Sequence, residues 1–366
     1  MSKARQLADL GNVYDDGALS NRNLLINSGM QVAQRGTSSS SAGYQTVDRF
    51  RFTSSDMDQL AFTQSQDTTG PSGFTNSYKL TVTTPETTTE AEEQLFMFQA
   101  IEAQNLQQLG YGTAEAKQLT LSFWVKSSVT GAYCVAFYQN DGNRLITSTY
   151  SISSANTWEY KTITIDGDTS GTINNDNGAG LELYFFLSVG PDRKTTDSTS
   201  WGTWAGAKFG YGQVADVAAT SGATWQITGV QLEVGDTATP FEHPRSYGDE
   251  LARCQRYYEK LGASGANGNY AGLAVGYSGS TGTGGSFLIS ASPKRVSPTV
   301  SSTGTLRYIA PTSTGTWNLA GDSYIDTSGV GYINVNSYSP SVTTGHAMIL
   351  TANNDADAGI ILDAEL

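Results

Sequence analysis

The sequence predicts an all-β protein of two sandwich-like domains, and three observations carry that prediction. From Asn23 onward, short alternating or apolar runs are separated by clusters of Gly, Asn, Asp, Ser and Thr, the punctuation of strands and turns. With 40 Gly, 19 Tyr and only 15% charged residues, the polar surface must be built from hydroxyls and amides instead of ions. At 366 residues the chain exceeds one average domain and can bury two cores.

Residues 1–22 form a polar N-terminal segment in which Leu7, Leu10 and Tyr14 fall at i, i+3 and i+7, one heptad of apolar seam. A helix that short is marginal alone in water, so these three residues are candidates for an assembly or anchoring contact with other chains. Residues 23–245 read as the first β-domain. Its expected strands are Leu24–Ile26, Arg49–Thr53, Gln59–Gln64, Ser77–Val82, Gln118–Lys126, Ala132–Gln139, Tyr160–Ile165, Leu181–Val189 and Trp225–Glu233. In the fifth, a period of two puts Leu119, Leu121 and Phe123 on one face, toward a core.

One helix is expected inside this domain, from Glu93 to Leu109, because Leu95, Phe98, Ile101, Leu106 and Leu109 recur near a 3.6-residue spacing and Gly110 follows. A second, connecting helix is expected over residues 246–262. Ser246 and Asp249 open it as a capping box, and it runs through Leu251, Cys254, Tyr258 and Leu261 to Gly262. Residues 263–366 read as a second, smaller β-domain with only three basic and six acidic residues. Its expected strands include Tyr270–Tyr277, Ser286–Ser290, Tyr332–Val335 and Ala347–Ala352.

Twenty-one basic against 34 acidic residues give a net charge of −13, which repels phosphate backbones and anionic leaflets. Neither a nucleic-acid partner nor membrane insertion is expected. The N-terminus lacks the basic, apolar pattern of a signal peptide, and no apolar run approaches 18 residues, so synthesis in a cytosol is the expectation. Cys134 and Cys254 lack disulfide or zinc spacing and read as reduced packing residues on a strand and a helix.

Motifs for catalysis are sparse. His243 and His346 are the only histidines, and neither stands in an H-E-x-x-H arrangement. No motif brings two carboxylates together, and no internal repeat marks a solenoid depolymerase, so no enzymatic activity and no cofactor are expected. Gly210-Tyr-Gly-Gln-Val-Ala matches a dinucleotide fingerprint, but no βαβ unit fits around it. Asp166-Gly-Asp and Asn174-Asn-Asp-Asn offer oxygen ligands in turns, which Asx-turns explain without a metal.

The aromatic pattern is more informative. Trp201 and Trp204 stand in a loop of small residues, where exposed rings beside hydroxyls and amides suit the faces of sugars; the alternative is packing under the loop or against a sister subunit. In the terminal domain Tyr308, Trp317, Tyr324, Tyr332 and Tyr338 accompany Asn318, Asn334 and Asn336, the low-charge composition of recognition loops. Trp201, Trp204, Trp317, Tyr308, Tyr324 and Tyr338 are therefore the candidate glycan-binding residues.

Several segments resemble the tail-fibre and receptor-binding proteins of tailed bacteriophages. They are Met1-Ser-Lys-Ala-Arg-Gln-Leu-Ala, Asn23-Leu-Leu-Ile-Asn-Ser-Gly-Met-Gln-Val-Ala-Gln-Arg-Gly with Tyr44 and Val47-Asp-Arg-Phe, and Leu119-Thr-Leu-Ser-Phe-Trp-Val-Lys-Ser. Asn156-Thr-Trp-Glu-Tyr-Lys-Thr-Ile-Thr-Ile, the run from Ile227 to Pro244, and Arg253-Cys-Gln-Arg-Tyr-Tyr-Glu-Lys complete the set. The resemblance implies a jelly-roll, carbohydrate-binding-module-like sandwich followed by a small β-domain, usually in homotrimers. It also implies a virion location, attachment to other phage tail or virion proteins through the first residues, and a tip that touches a host cell-surface glycan or protein. Two other readings compete: a structural virion protein such as a neck, baseplate adaptor or capsid decoration, and a glycan-degrading tailspike. No collagen-like or heptad-rich shaft is present, so the appendage should be short.

Overall fold

A computed structural model describes residues 3, 22–244, 246–262, 272–278, 285–311, 313–316, 318–319, 323–336 and 344–366. The chain divides into two compact units, one running to Glu250 and including Leu366, the other Leu251–Glu365.

The first unit carries β1 (Ser38–Ser39), β2 (Arg51–Ser55), β3 (Ala61–Asp67), β4 (Ser77–Thr84), β5 (Gln94–Glu102), β6 (Leu119–Ser127), β7 (Gly131–Gln139), β8 (Arg144–Ile152), β9 (Glu159–Ile165), β10 (Ala179–Val189), β11 (Gly202–Thr203) and β12 (Thr224–Val234). They form two six-stranded sheets, β1-β3-β4-β12-β6-β9 and β11-β8-β7-β10-β5-β2, with every pairing antiparallel. The chain passes repeatedly from one sheet to the other, as in a jelly roll. Alternation decides the core. Leu119, Leu121, Phe123 and Val125 of β6, with Trp225 and Ile227 of β12, meet Tyr133, Val135 and Phe137 of β7 and Leu183 and Phe185 of β10. Trp225 is fully buried, edge-on to Phe52 at 6.2 Å, and its indole N–H donates to the Tyr150 hydroxyl at 3.2 Å.

The expected helix Glu93–Leu109 is instead a strand, β5, followed by a 3-10 turn over Ala103–Leu109 that ends on left-handed Gly110. All nine residues of β5 are buried. Leu95, Met97 and Ile101 face the core between the sheets, while Phe96, Phe98 and Ala100 face a second cluster with Cys134, Tyr184, Phe186 and Phe209 on the far side of the sheet. A strand apolar on both faces loses its period of two, and its remaining spacing mimics a helix.

The expected strand Leu24–Ile26 is irregular backbone held by side chains. Asn23 accepts from the amides of Leu25 and Leu232 and donates to Val230 O, while Gln99 accepts from the Ile26 amide and donates to its carbonyl. Strand β8, absent from the expected set, pairs with β7 over its whole length.

The helix expected over 246–262 is shorter. Helix α1 spans Tyr247–Gln255, with Ser246 Oγ accepting from the Asp249 amide at 3.1 Å as the cap predicted. Tyr258–Gly262 is a strand because it pairs, residue for residue, with a partner near the C-terminus. The second unit is β13 (Tyr258–Gly262), β14 (Gly272–Ser278), β15 (Gly285–Ser290), β16 (Thr299–Thr303), β17 (Leu306–Ala310), β18 (Ser313–Thr316), β19 (Asn318–Leu319), β20 (Tyr324–Ile325), β21 (Val330–Asn336), β22 (Ala347–Ala352) and β23 (Gly359–Asp363). A small sheet, β13-β23-β16, and a larger one, β18-β17-β22-β14-β15-β21-β19 with β20 beside β21, enclose a common core of Phe287, Ile289, Leu306, Tyr308, Met348, Leu350, Ile360 and Leu362. The protein is an all-β pair of sandwiches. Both cysteines are reduced and buried, Cys134 on β7 and Cys254 on α1.

Candidate functional site

The outer face of the first sheet carries an aromatic groove of about 530 Å³. Residues of β6 that alternate with its core set point outward, which places Ser122, Trp124 and Lys126 in a line away from the core. Register sets their neighbours. Trp124 lies between Thr228 of β12 and Tyr160 of β9, and its ring stands 5.3 Å from that of Tyr160, which is 46% exposed.

Two further segments raise the walls. The turn before β4 puts Phe74 against the backbone of Gly229, where β12 bulges and the chain turns left-handed at φ 60°. A Cβ at that position would lie 2.5 Å from the Phe74 ring, so only glycine admits the contact. The chain after β12 folds back over the same face. Gln231 accepts from the Glu242 amide at 2.7 Å, and Glu233 accepts from the Thr239 amide at 2.9 Å and its hydroxyl at 2.7 Å. This lays Phe241 and His243 edge-on to each other at 4.8 Å, with Phe74 within 5.3 Å of both rings.

The result is a hydroxyl-dotted aromatic trough, lined by Ser72, Phe74, Ser122, Trp124, Tyr160 and Phe241 among others. Among the described residues no Asp or Glu lines it. Beside Trp124, the Thr228 hydroxyl is buried without a hydrogen-bond partner. Flat rings can stack on the C–H faces of a sugar while hydroxyls take its polar edge. Nothing in the lining offers the paired carboxylates of glycoside hydrolysis.

The residues singled out from sequence lie elsewhere. Trp201 is half-buried and leans on the main core; its indole N–H donates to Asp166 O at 2.7 Å and its ring meets Tyr111 edge-on at 5.8 Å. Trp204 turns the other way, to the far face of the second sheet, 37% exposed and edge-on to Phe209 and Tyr138. The two tryptophans therefore form no joint platform. Tyr308 is a core residue at 1% exposure, its ring packed over Gly315, and it offers no binding surface. The backbone of Tyr324 pairs with Tyr332, while its side chain lies outside the description. Trp317, Tyr338, Leu7, Leu10 and Tyr14 lie outside the described residues.

Of the other sequence motifs, Gly210–Ala215 forms turns between the short helix at Gly206–Lys208 and β12, not a nucleotide loop. Asp168 is held by Arg144 at 2.6 Å and caps its own turn at Ser170. No cluster of three or more metal-ligating side chains occurs among the described residues, and none of their helices is long and apolar enough to cross a membrane. A second, more polar cleft of about 600 Å³ runs between β8 and β9, with Thr147, Thr149, Thr164 and Tyr211 in its walls.

In the second unit, the outer face of the large sheet carries an apolar row across four strands. Ile349, Val275, Leu288 and Tyr332 are successive register partners, and all four are exposed.

Trp124 and Tyr160 were legible in principle. The period that sends Phe123 inward sends Trp124 outward, and a tryptophan in the polar phase of a strand is the signal. No sequence pattern announced that Phe74, Phe241 and His243 would join them.

No family model matches the sequence, and no curated protein matches it. Among solved structures, the chain is similar to the enzymatically active domain of tailspike protein 4 of bacteriophage CBA120, at 14% identity and a TM-score of 0.34, over 58% of this chain and 22% of that one. It is also similar to a family 4 carbohydrate-binding module, at 12% identity and a TM-score of 0.29, over 57% of this chain and 98% of that one. A tandem pair of family 22 modules from Paenibacillus barcinonensis Xyn10C matches over 95% of this chain and 97% of its own, at 10% identity and a TM-score of 0.29.

Proposed function

We propose that this chain is a non-enzymatic receptor-binding appendage protein of a tailed phage, carried on the virion, which holds a host cell-surface glycan in the Trp124 groove. The observation that carries the reading is the groove itself: an aromatic trough with hydroxyls and, among the described residues, no carboxylate in its lining, on the outer face of a sheet. Three of the segments that resemble phage tail-fibre proteins, Leu119–Ser127, Asn156–Ile165 and Ile227–Pro244, supply most of its walls. That coincidence supports treating the groove and the resemblance as one property.

Glycan-array binding and adsorption of the purified protein to host cells test the reading. Trp124→Ala and Tyr160→Ala should each weaken saccharide binding about tenfold, the loss of one stacking face worth about 1.4 kcal/mol. Circular dichroism should stay unchanged, because both rings sit on the solvent side of the sheet. Variants that adsorb like wild type would remove the groove from the function. The sandwich would then serve assembly, as a neck, baseplate or decoration protein requires. Release of reducing ends from host polysaccharide would overturn the non-enzymatic part.

In this reading the protein works as a homotrimer, attached to other virion proteins through its first residues. The apolar row of the second unit favours a second copy of this chain as its cover. Tyr277, Ser286 and Asn334 flank the row, so that side of the face is uncharged and like meets like without repulsion.

A further inference from the structure

Resting on the groove reading, we propose that the saccharide it holds is acidic, with a uronate carboxylate taken by Lys126. Lys126 follows Trp124 by two residues on the same face of β6, about 7 Å along the strand. An adjoining sugar unit of a chain stacked on Trp124 and Tyr160 therefore comes within reach of its ammonium group.

Three features single out this lysine. Its Nζ sits 4.9 Å above the ring of Trp158, the residue that precedes β9, so an aromatic surface fixes the head group in place. No carboxylate pairs with it among the described residues. Asp67, whose charge acts on Lys126 from a distance, is itself paired with Lys79 at 3.2 Å. Lys79, Gln226 and Lys126 also occupy one register row beside the aromatic row; Asp67 balances Lys79, so the charge left over in this patch is that of Lys126, on a chain of net charge −13. At physiological salt, charges farther off than about 8 Å are largely screened, and the local cation decides what the groove accepts.

The geometry thus combines an aromatic row for sugar faces with an adjacent unpaired cation for an anionic substituent. Burial disfavours the charged form of Lys126, an effect that an incoming carboxylate would offset.

The test is titration calorimetry of the full-length protein with a panel of uronate oligosaccharides and their carboxyl-reduced, neutral counterparts. Wild type should bind an acidic member about tenfold more tightly than its reduced counterpart, with the gap shrinking as salt is raised. Lys126→Gln should bind both forms equally, at the affinity wild type has for the neutral one. Trp124→Ala should lose both. Equal affinity of wild type for the two forms, or an undiminished gap in Lys126→Gln, overturns the acidic assignment and leaves the groove reading standing. Binding of no member overturns the acidic assignment, and full binding by Trp124→Ala overturns both.

Discussion

Asn27 shows how much structure one side chain can organise. It sits at φ 60°, where asparagine is tolerated and alanine is not, and it is buried. Its amide group donates to Val32 O and Asp48 O and accepts from the amides of Gln31 and Val32, so one side chain satisfies four backbone groups. Removing it strands those groups in a dry site. Asn27→Ala should therefore lower the unfolding free energy by about 3 kcal/mol in urea titration, and Asn27→Gly by about 1 kcal/mol less, because glycine relieves the backbone strain. Equal losses in the two variants would show that the left-handed backbone carries no cost. Within the run Asn23-Leu-Leu-Ile-Asn-Ser-Gly, the sequence predicts a strand over Leu24–Ile26. Leu25 is buried and Leu24 and Ile26 are half-buried, but amide side chains replace the ladder, and hydrophobic patterning holds no record of that.

Strand bounds were legible whether or not one face is wet: β4 and β9, which alternate between core and solvent, and β7, β10 and β12, which are buried on both faces, all lie within two residues of their expected bounds. The helix predicted at Glu93–Leu109 failed where burial is two-sided, and the one at 246–262 failed at Tyr258, where distant pairing outweighs local propensity. The turn between β8 and β9 makes a prediction at this scale. Burial raises the pKa of Glu159, but the hydrogen bond from Lys161 and those from the amides of Ser154 and Ser153 outweigh it and hold the carboxyl below the ordinary range. A depressed folded-state pKa adds stability above the unfolded value near 4.3, and that stability is lost as pH falls through the folded value. Glu159→Gln should thus have a lower urea midpoint than wild type at pH 7, with the difference closing as the solution is acidified below about pH 4. A gap that persists in acid would assign the effect to packing.

At the scale of the molecule, the second unit buries Tyr308 and exposes Leu288, which is 64% exposed. An apolar row of that kind costs little in a monomer's stability but invites association. Light scattering should find a trimer at micromolar concentration, and Leu288→Asp should shift it toward monomer with an unchanged circular dichroism spectrum, since exposed substitutions alter folding by about 0.5 kcal/mol at most. A wild-type monomer at that concentration would refute the trimer, and a trimeric Leu288→Asp would place its interface elsewhere.

The amino-acid sequence alone determined the all-β class, the inward faces of the amphipathic strands and the ion-poor surface, because those follow from composition and from a period of two. Which aromatics meet was decided only by the tertiary structure. Phe74, Trp124, Tyr160 and Phe241 are separated by up to 167 positions, and a bulge at Gly229 with a returning chain segment brings them to one face. Trp201 and Trp204, three residues apart, were drawn to opposite sides by the cores beneath them. Proximity along the chain carries no information about which side of a sheet a loop will cover, and that choice created the groove.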